Sequence, residues 1–156
     1  MKIEFLTISS RFPEWLRELD SDYKIKIGFW CPCRTTMIKS PPHGRDSSAV
    51  KIKSESKLIL RQLTDSDFVI LCDEHGVAYS SLKFAKKIET LFLTGKKRLV
   101  FVIGGAYGVG DEVKSRAEMK LKLSDFTLNH YLAFATLQEQ VYRAMTIIKG
   151  IQYHNV

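Results

Sequence analysis

Four glycines fall within seven residues in Gly104-Gly105-Ala106-Tyr107-Gly108-Val109-Gly110, directly after a run of β-branched and aromatic residues. Glycine tolerates positive φ and the close approach of other atoms, so a strand ending in this much bare backbone points to a sharp turn or a ligand held by main-chain groups. The spacing does not suit a phosphate. A dinucleotide turn reads G-x-G-x-x-G and a P-loop ends in Gly-Lys-Ser/Thr, whereas Asp111 and Glu112 follow here, where a phosphate calls for positive charge. Backbone amides and carbonyls in such a turn suit a flat, neutral edge such as an adenine. Other reactive side chains give weaker signals. Cys31-Pro32-Cys33 with His43 lacks a fourth ligand at a plausible spacing, so no metal is expected. Cys72 and His75 could pair as nucleophile and base, but the plainer reading makes Cys72 a small buried hydrophobe and His75 a turn residue. Glu139 and Arg143, four apart, read as a surface helix pair.

The elements that must position these residues alternate. Residues 2–8 predict a first strand, and Phe12-Pro13-Glu14-Trp15-Leu16 a turn into a helix, Leu16, Leu19 and Tyr23 recurring at helical spacing. Lys24-Ile25-Lys26-Ile27 alternates like a strand. Residues 33–39 predict a second strand, followed by the polar loop SPPHGRDSS. A helix spans about 47–63 with Ser47 or Ser48 as cap, then a buried strand over 67–73 closed by a turn at Glu74-His75-Gly76. Ser80-Ser81 caps a helix ended by Gly95, Arg98 to Ile103 forms a strand, and Asp111 to Lys120 a short helix. Leu123 to Leu128 reads as the last strand or an extended loop. A long helix from Tyr131 to Lys149 closes the chain, and its stripe of Phe134, Tyr142 and Met145 could face a partner subunit. Strands alternating with helices argue for an α/β fold with a parallel sheet covered on both faces. In such a sheet ligands bind beyond the carboxyl ends of the strands. The ends at Leu71-Cys72-Asp73 and Ile103-Gly104-Gly105, with the segment LSDFTLNH, are the expected pocket walls.

A chain of 156 residues predicts one domain over 1–156, large enough for a core without disulfides or metals. No apolar run approaches the roughly 20 residues needed to span a bilayer, and MKIEFLTISS lacks a signal-peptide core. Three cysteines without an export signal favour reduced thiols. The expected location is cytoplasmic, with no membrane. A net charge of +7 is compatible with an ordinary solvated surface, but it also favours polyanionic partners, nucleic acid above all.

The segments FVIGGAYGVGDEVKSRAEMKLKLSDFTLNHYLAFATLQEQVYRA and GIQYHN resemble the ribosomal RNA large-subunit methyltransferase H family of the SPOUT superfamily. That family's pattern runs IGG, two variable residues, Gly, then LSxxTLPH, a helix with EQxYRA, and YH followed by a basic residue. The match is specific from about Phe68 onward. The resemblance implies a C-terminal trefoil knot, a homodimer, S-adenosylmethionine as methyl donor, and methyl transfer to N3 of a pseudouridine in large-subunit ribosomal RNA on assembled ribosomes. It assigns the donor pocket to Cys72, Gly104, Leu123, Ser124, Asp125, Phe126, Thr127 and Leu128, and brings Tyr153 and His154 to the RNA base. His154 or His130 would assist loss of the N3 proton, with pocket-shaping the leading reading for His130, and Arg143 would belong to the site or the dimer seam. The chain departs from the pattern at Ala106-Tyr107, at Asn129 for proline, at Phe134 where arginine is common, and at Asn155-Val156 in place of the basic residue. Two lost positive charges would weaken phosphate contacts, and they leave open a non-catalytic RNA- or ribosome-binding module, or an enzyme with another acceptor.

Overall fold

In the strand β1 (Lys2–Ile8) every residue after Lys2 is buried, as required of a strand covered on both faces. The computed structural model describes residues 1–42 and 47–154; His43, the centre of the polar loop and Asn155-Val156 lie outside them. Along the chain follow α1 (Glu14–Gly28), β2 (Cys33–Ile38), α2 (Ser48–Leu60), β3 (Asp67–Ala78), α3 (Ser81–Phe92), β4 (Arg98–Ile103), α4 (Asp111–Arg116), β5 (Met119–Lys122) and α5 (His130–Ile148). The described strands form one parallel sheet in the order β2-β1-β4-β3-β5.

Side chains alternate across a strand, and the two faces fill separately. Ile3, Phe5, Leu99 and Phe101 point into a core closed by Leu16 of α1, Phe84 and Ile88 of α3, and Phe134, Leu137 and Val141 of α5. Leu6, Val100 and Val102 point the other way, against Ile59 of α2 and Val113 of α4. At the amino ends Arg98 bridges Glu4 and Asp67, each contact 2.5 Å, which ties β1, β3 and β4 together at the end of the sheet opposite their carboxyl termini.

Several boundaries differ from those read in the sequence. Residues 24–27 continue α1: Ile27 is fully buried while Ile25 is exposed, and Lys24 and Lys26 pair with Asp20 and Asp22 one helical turn back at 2.7 and 2.6 Å. The alternation was a chance overlay on a helical face. The helix predicted over 111–120 stops at Arg116, where Ala117 turns extended. Met119-Lys120-Leu121-Lys122 then forms the last strand, with Met119 and Leu121 buried and Lys120 exposed, and residues 123–129 are a loop. β3 is not closed at residues 74–76. It bulges there and rejoins β5 at Val77 opposite Leu121. Gly76 permits the bulge, because a Cβ at that position would lie 2.7–2.8 Å from the backbone of Lys120 and Leu121. Of the stripe that could have faced a partner, Phe134 and Met145 are buried in the chain's own core, and Tyr142 is partly exposed, packed on Tyr23 and Trp30.

Candidate functional site: a cleft at the strand ends

The carboxyl ends of β4 and β5 and the bulge in the middle of β3 open into a cleft of about 730 Å³, within the usual size range of small-molecule sites. β3 brings Leu71, Cys72 and Asp73 to it, and β4 delivers Ile103 and the glycine turn. That turn is a hairpin: the Gly108 N–H donates to the Gly105 carbonyl at 3.0 Å, and Gly108 adopts φ +79°. Helix α2 holds it from behind. The Glu55 carboxylate fills the space where a side chain on Gly105 would be, and Ser56 Oγ accepts from the Gly110 N–H at 2.8 Å.

The loop after β5 supplies Leu123, Ser124, Phe126, Thr127 and Leu128 to the cleft. It is shaped locally by Ser124 Oγ, which accepts from the Phe126 N–H at 3.0 Å. Asp125 does not line the cleft; its carboxylate is exposed, paired with Lys122 at 2.7 Å and held below its ordinary pKa by that lysine. Asn129 ends the loop as the N-cap of α5, accepting from the Tyr131 N–H at 2.9 Å. Asparagine at this place gives the helix a side-chain cap that proline lacks.

His130 follows in the cleft wall. Its Nε2 is 3.3 Å from Thr7 Oγ1 at the carboxyl end of β1. Burial lowers its pKa below 6.5, against smaller upward contributions from the Gly104 carbonyl and Glu55, so the imidazole is held toward its neutral form. Cys72 is no nucleophile at neutral pH: burial, then the neighbouring Asp73 charge, push its thiol up to about 12. His75 pairs instead with Asp73, Nδ1 to Oδ1 at 3.3 Å. Cys31 and Cys33 are likewise raised by burial, Cys33 to about 12, and no metal-holding group of His, Cys, Asp and Glu occurs among the described residues.

Arg143, Tyr153 and His154 gather elsewhere, on the flank of α5, and none of them lines the cleft. Arg143 donates to Glu139 Oε1 through Nε at 3.0 Å and lies 3.1 Å from His154 Nδ1. Its guanidinium stacks 4.7 Å from the Tyr153 ring centroid, while the Tyr153 hydroxyl donates to Glu139 at 3.2 Å. Burial, then the neighbouring Tyr153 and Glu139, raise the pKa of the nearby Tyr23 hydroxyl. The pair Glu139–Arg143 is therefore the base of a tail clamp, more than a simple surface pair.

Sequence reading missed Glu55 and Ser56, which support the turn from a distant helix with no local signal, and it took His75 for a plain turn residue although it lines the cleft.

A parallel α/β sheet with a backbone-rich cleft at its strand ends, closed by a glycine turn and a capped loop, defines the class. The family model described as "Predicted SPOUT methyltransferase" matches residues 1–154, and the chain belongs to that family. Its relatives include proteins named "Ribosomal RNA large subunit methyltransferase H". The one from Bdellovibrio bacteriovorus is 40% identical over 156 residues, covering 100% of both chains. Those from Cytophaga hutchinsonii and Syntrophotalea carbinolica are 37% and 36% identical over 155 residues, covering 99% of this chain and 100% and 99% of their own. The similarity thus extends through the first half, where the motifs alone gave little.

Proposed function

We propose that this protein transfers a methyl group from S-adenosylmethionine to N3 of a pseudouridine in the 23S ribosomal RNA of the large subunit, acting on assembled ribosomes in the cytoplasm. The observation that carries the reading is the convergence of Cys72, Gly104 and the loop after β5 on one cleft. The residues fit the donor. Leu71, Leu123 and Leu128 offer apolar walls for an adenine, the glycine turn offers main-chain donors and acceptors, and Ser124 and Thr127 add hydroxyls. A Cβ on Gly104 would lie 2.6 Å from Val109 Cγ1, so the close-set backbone of the turn depends on glycine there.

S-adenosylmethionine supplies an already activated sulfonium methyl, which leaves the protein to align the acceptor nitrogen and exclude water. Cys72, Gly104, Leu123, Ser124, Phe126, Thr127 and Leu128 would hold the donor, and Asp125, outside the cleft lining, would support the loop through its pair with Lys122. In the transfer the N–C bond would form as the sulfur–methyl bond breaks, with S-adenosylhomocysteine leaving, and the base N3 would give up its proton. A neutral His130 would shape the pocket, and either His130 or His154 would accept that proton. Tyr153, His154 and Arg143 belong to the RNA side. Their distance from the cleft within one chain fits a homodimer in which the tail clamp of one copy serves the cleft of the other. The fold is one methyltransferase domain over 1–156, its C-terminal part threaded as a trefoil knot. The competing binding-module reading rested partly on Phe134, and the burial of that ring removes it as an RNA contact in this subunit.

Calorimetric titration with S-adenosylhomocysteine tests the reading. Saturable binding at one site per subunit is expected, and no binding up to millimolar ligand would overturn it.

A further inference from the structure

Tyr107 crowns the glycine turn at the mouth of the cleft, and 56% of its surface is exposed. A large ring left in water at the rim of a site has a use when something stacks on it. The Lys51 ammonium stands 5.6 Å from its ring centroid and covers one face. The mounting is firm. Helix α2, which carries Lys51, also packs Glu55 under Gly105 and binds the Gly110 amide through Ser56, so the turn is braced at three points from one side.

The charges around the ring select the kind of ligand. Lys51 backs it, and Lys114, paired with Asp111 at 3.5 Å, lines the same cleft. An aromatic face flanked by ammonium groups is the arrangement that holds unpaired nucleotides, the base on the ring and the phosphates on the cations. Ala106-Tyr107 is also where the chain departs from the family pattern. We propose that Tyr107, backed by Lys51, is a stacking platform for an unpaired base of the acceptor RNA, presenting the target nucleotide to the donor cleft. This rests on the methyltransferase reading and adds the residues that position the acceptor.

The test compares Tyr107→Ala, Tyr107→Trp and Lys51→Met with the unaltered protein. Each is titrated with ribosomes lacking the modification and, separately, with S-adenosylhomocysteine. Tyr107→Ala is expected to weaken ribosome binding roughly five- to hundredfold, as loss of one base stack does, while Tyr107→Trp retains it. Lys51→Met is expected to weaken binding and flatten its salt dependence. S-adenosylhomocysteine affinity is expected to be unchanged in all three. Ribosome binding unaffected by Tyr107→Ala would overturn the proposal, as would a parallel loss of S-adenosylhomocysteine affinity, which would assign the ring to the donor. Titration of the unaltered protein with S-adenosylhomocysteine judges the donor reading independently.

Discussion

Replacing Phe134 distinguishes a lost RNA contact from a core residue. Its ring is fully buried, 4.8 Å from the Phe12 ring centroid and 6.0 Å from that of Phe5, at the junction of α5 with the sheet. Truncating a buried Phe to Ala costs about 3–5 kcal/mol, the lost transfer energy plus the cavity left behind. Against a total stability of about 5–15 kcal/mol, that is a large fraction. At about 2–4 °C per kcal/mol for a chain of this size, Phe134→Ala should lower Tm by roughly 6–20 °C. Phe134→Leu, which keeps most of the volume, should lose much less. Phe134→Arg places a charge among aromatic rings with no carboxylate shown against it, and a buried unpaired charge is costlier than a cavity; it should unfold at lower temperature than the Ala variant. Thermal unfolding followed by circular dichroism, with methyl transfer to ribosomes on the same samples, reads both quantities. Restored arginine that leaves Tm within 2 °C of the parent, a shift of about 1 kcal/mol or less, while raising methyl transfer would refute the core assignment and revive the RNA contact.

Gly76→Ala should destabilise by about 1–3 kcal/mol through overpacking, because its Cβ would meet the β5 backbone, and should weaken S-adenosylhomocysteine binding by disturbing the β3–β5 junction; an unchanged urea midpoint would contradict the close approach. His130 has a folded-state pKa lowered mainly by burial, so below about pH 6.5 the unfolded chain binds the proton more readily. Its neutral-state contribution to stability is present above that pH and lost as pH falls toward the lowered folded value. Urea midpoints at pH 7.5 and 5.0 should therefore differ less in His130→Gln than in the parent, and an equal acid loss in both would refute the buried neutral imidazole.

What was legible in the sequence is what local pattern encodes. β1 came from its alternation, β4 from an apolar run, β2 from the segment before a polar loop, and the Ser47 and Ser80 caps from a residue type whose oxygen must meet a helix amide. The errors fall where two patterns compete or where the partner is distant. Met119-Lys120-Leu121-Lys122 alternates with period two, but its four residues were too few to stand out beside the helix that precedes them, and pairing with β3 settles them as strand. Lys24 to Ile27 alternates equally well and is helix, because Ile27 reaches the core one turn beyond Tyr23 while Asp20 and Asp22 pair across the helix surface. Nothing along the chain could show that the strand after Cys72 would bulge and resume.

The glycine turn shows the same division. Its density of glycine announced bare backbone and a nearby ligand site, and its acidic sequel argued against phosphate. Why glycine is required at 105 was not legible, since the reason is Glu55, fifty positions earlier on a helix that packs from the other side of the sheet. That helix sets the height of the turn through Glu55, its exit through Ser56 and its exposed ring through Lys51. A change in α2 would therefore reach the cleft without touching any residue that lines it. The IGG and LSDFTL segments were legible as motifs, yet the height and exit of the turn between them depend on a helix that carries none of the motifs.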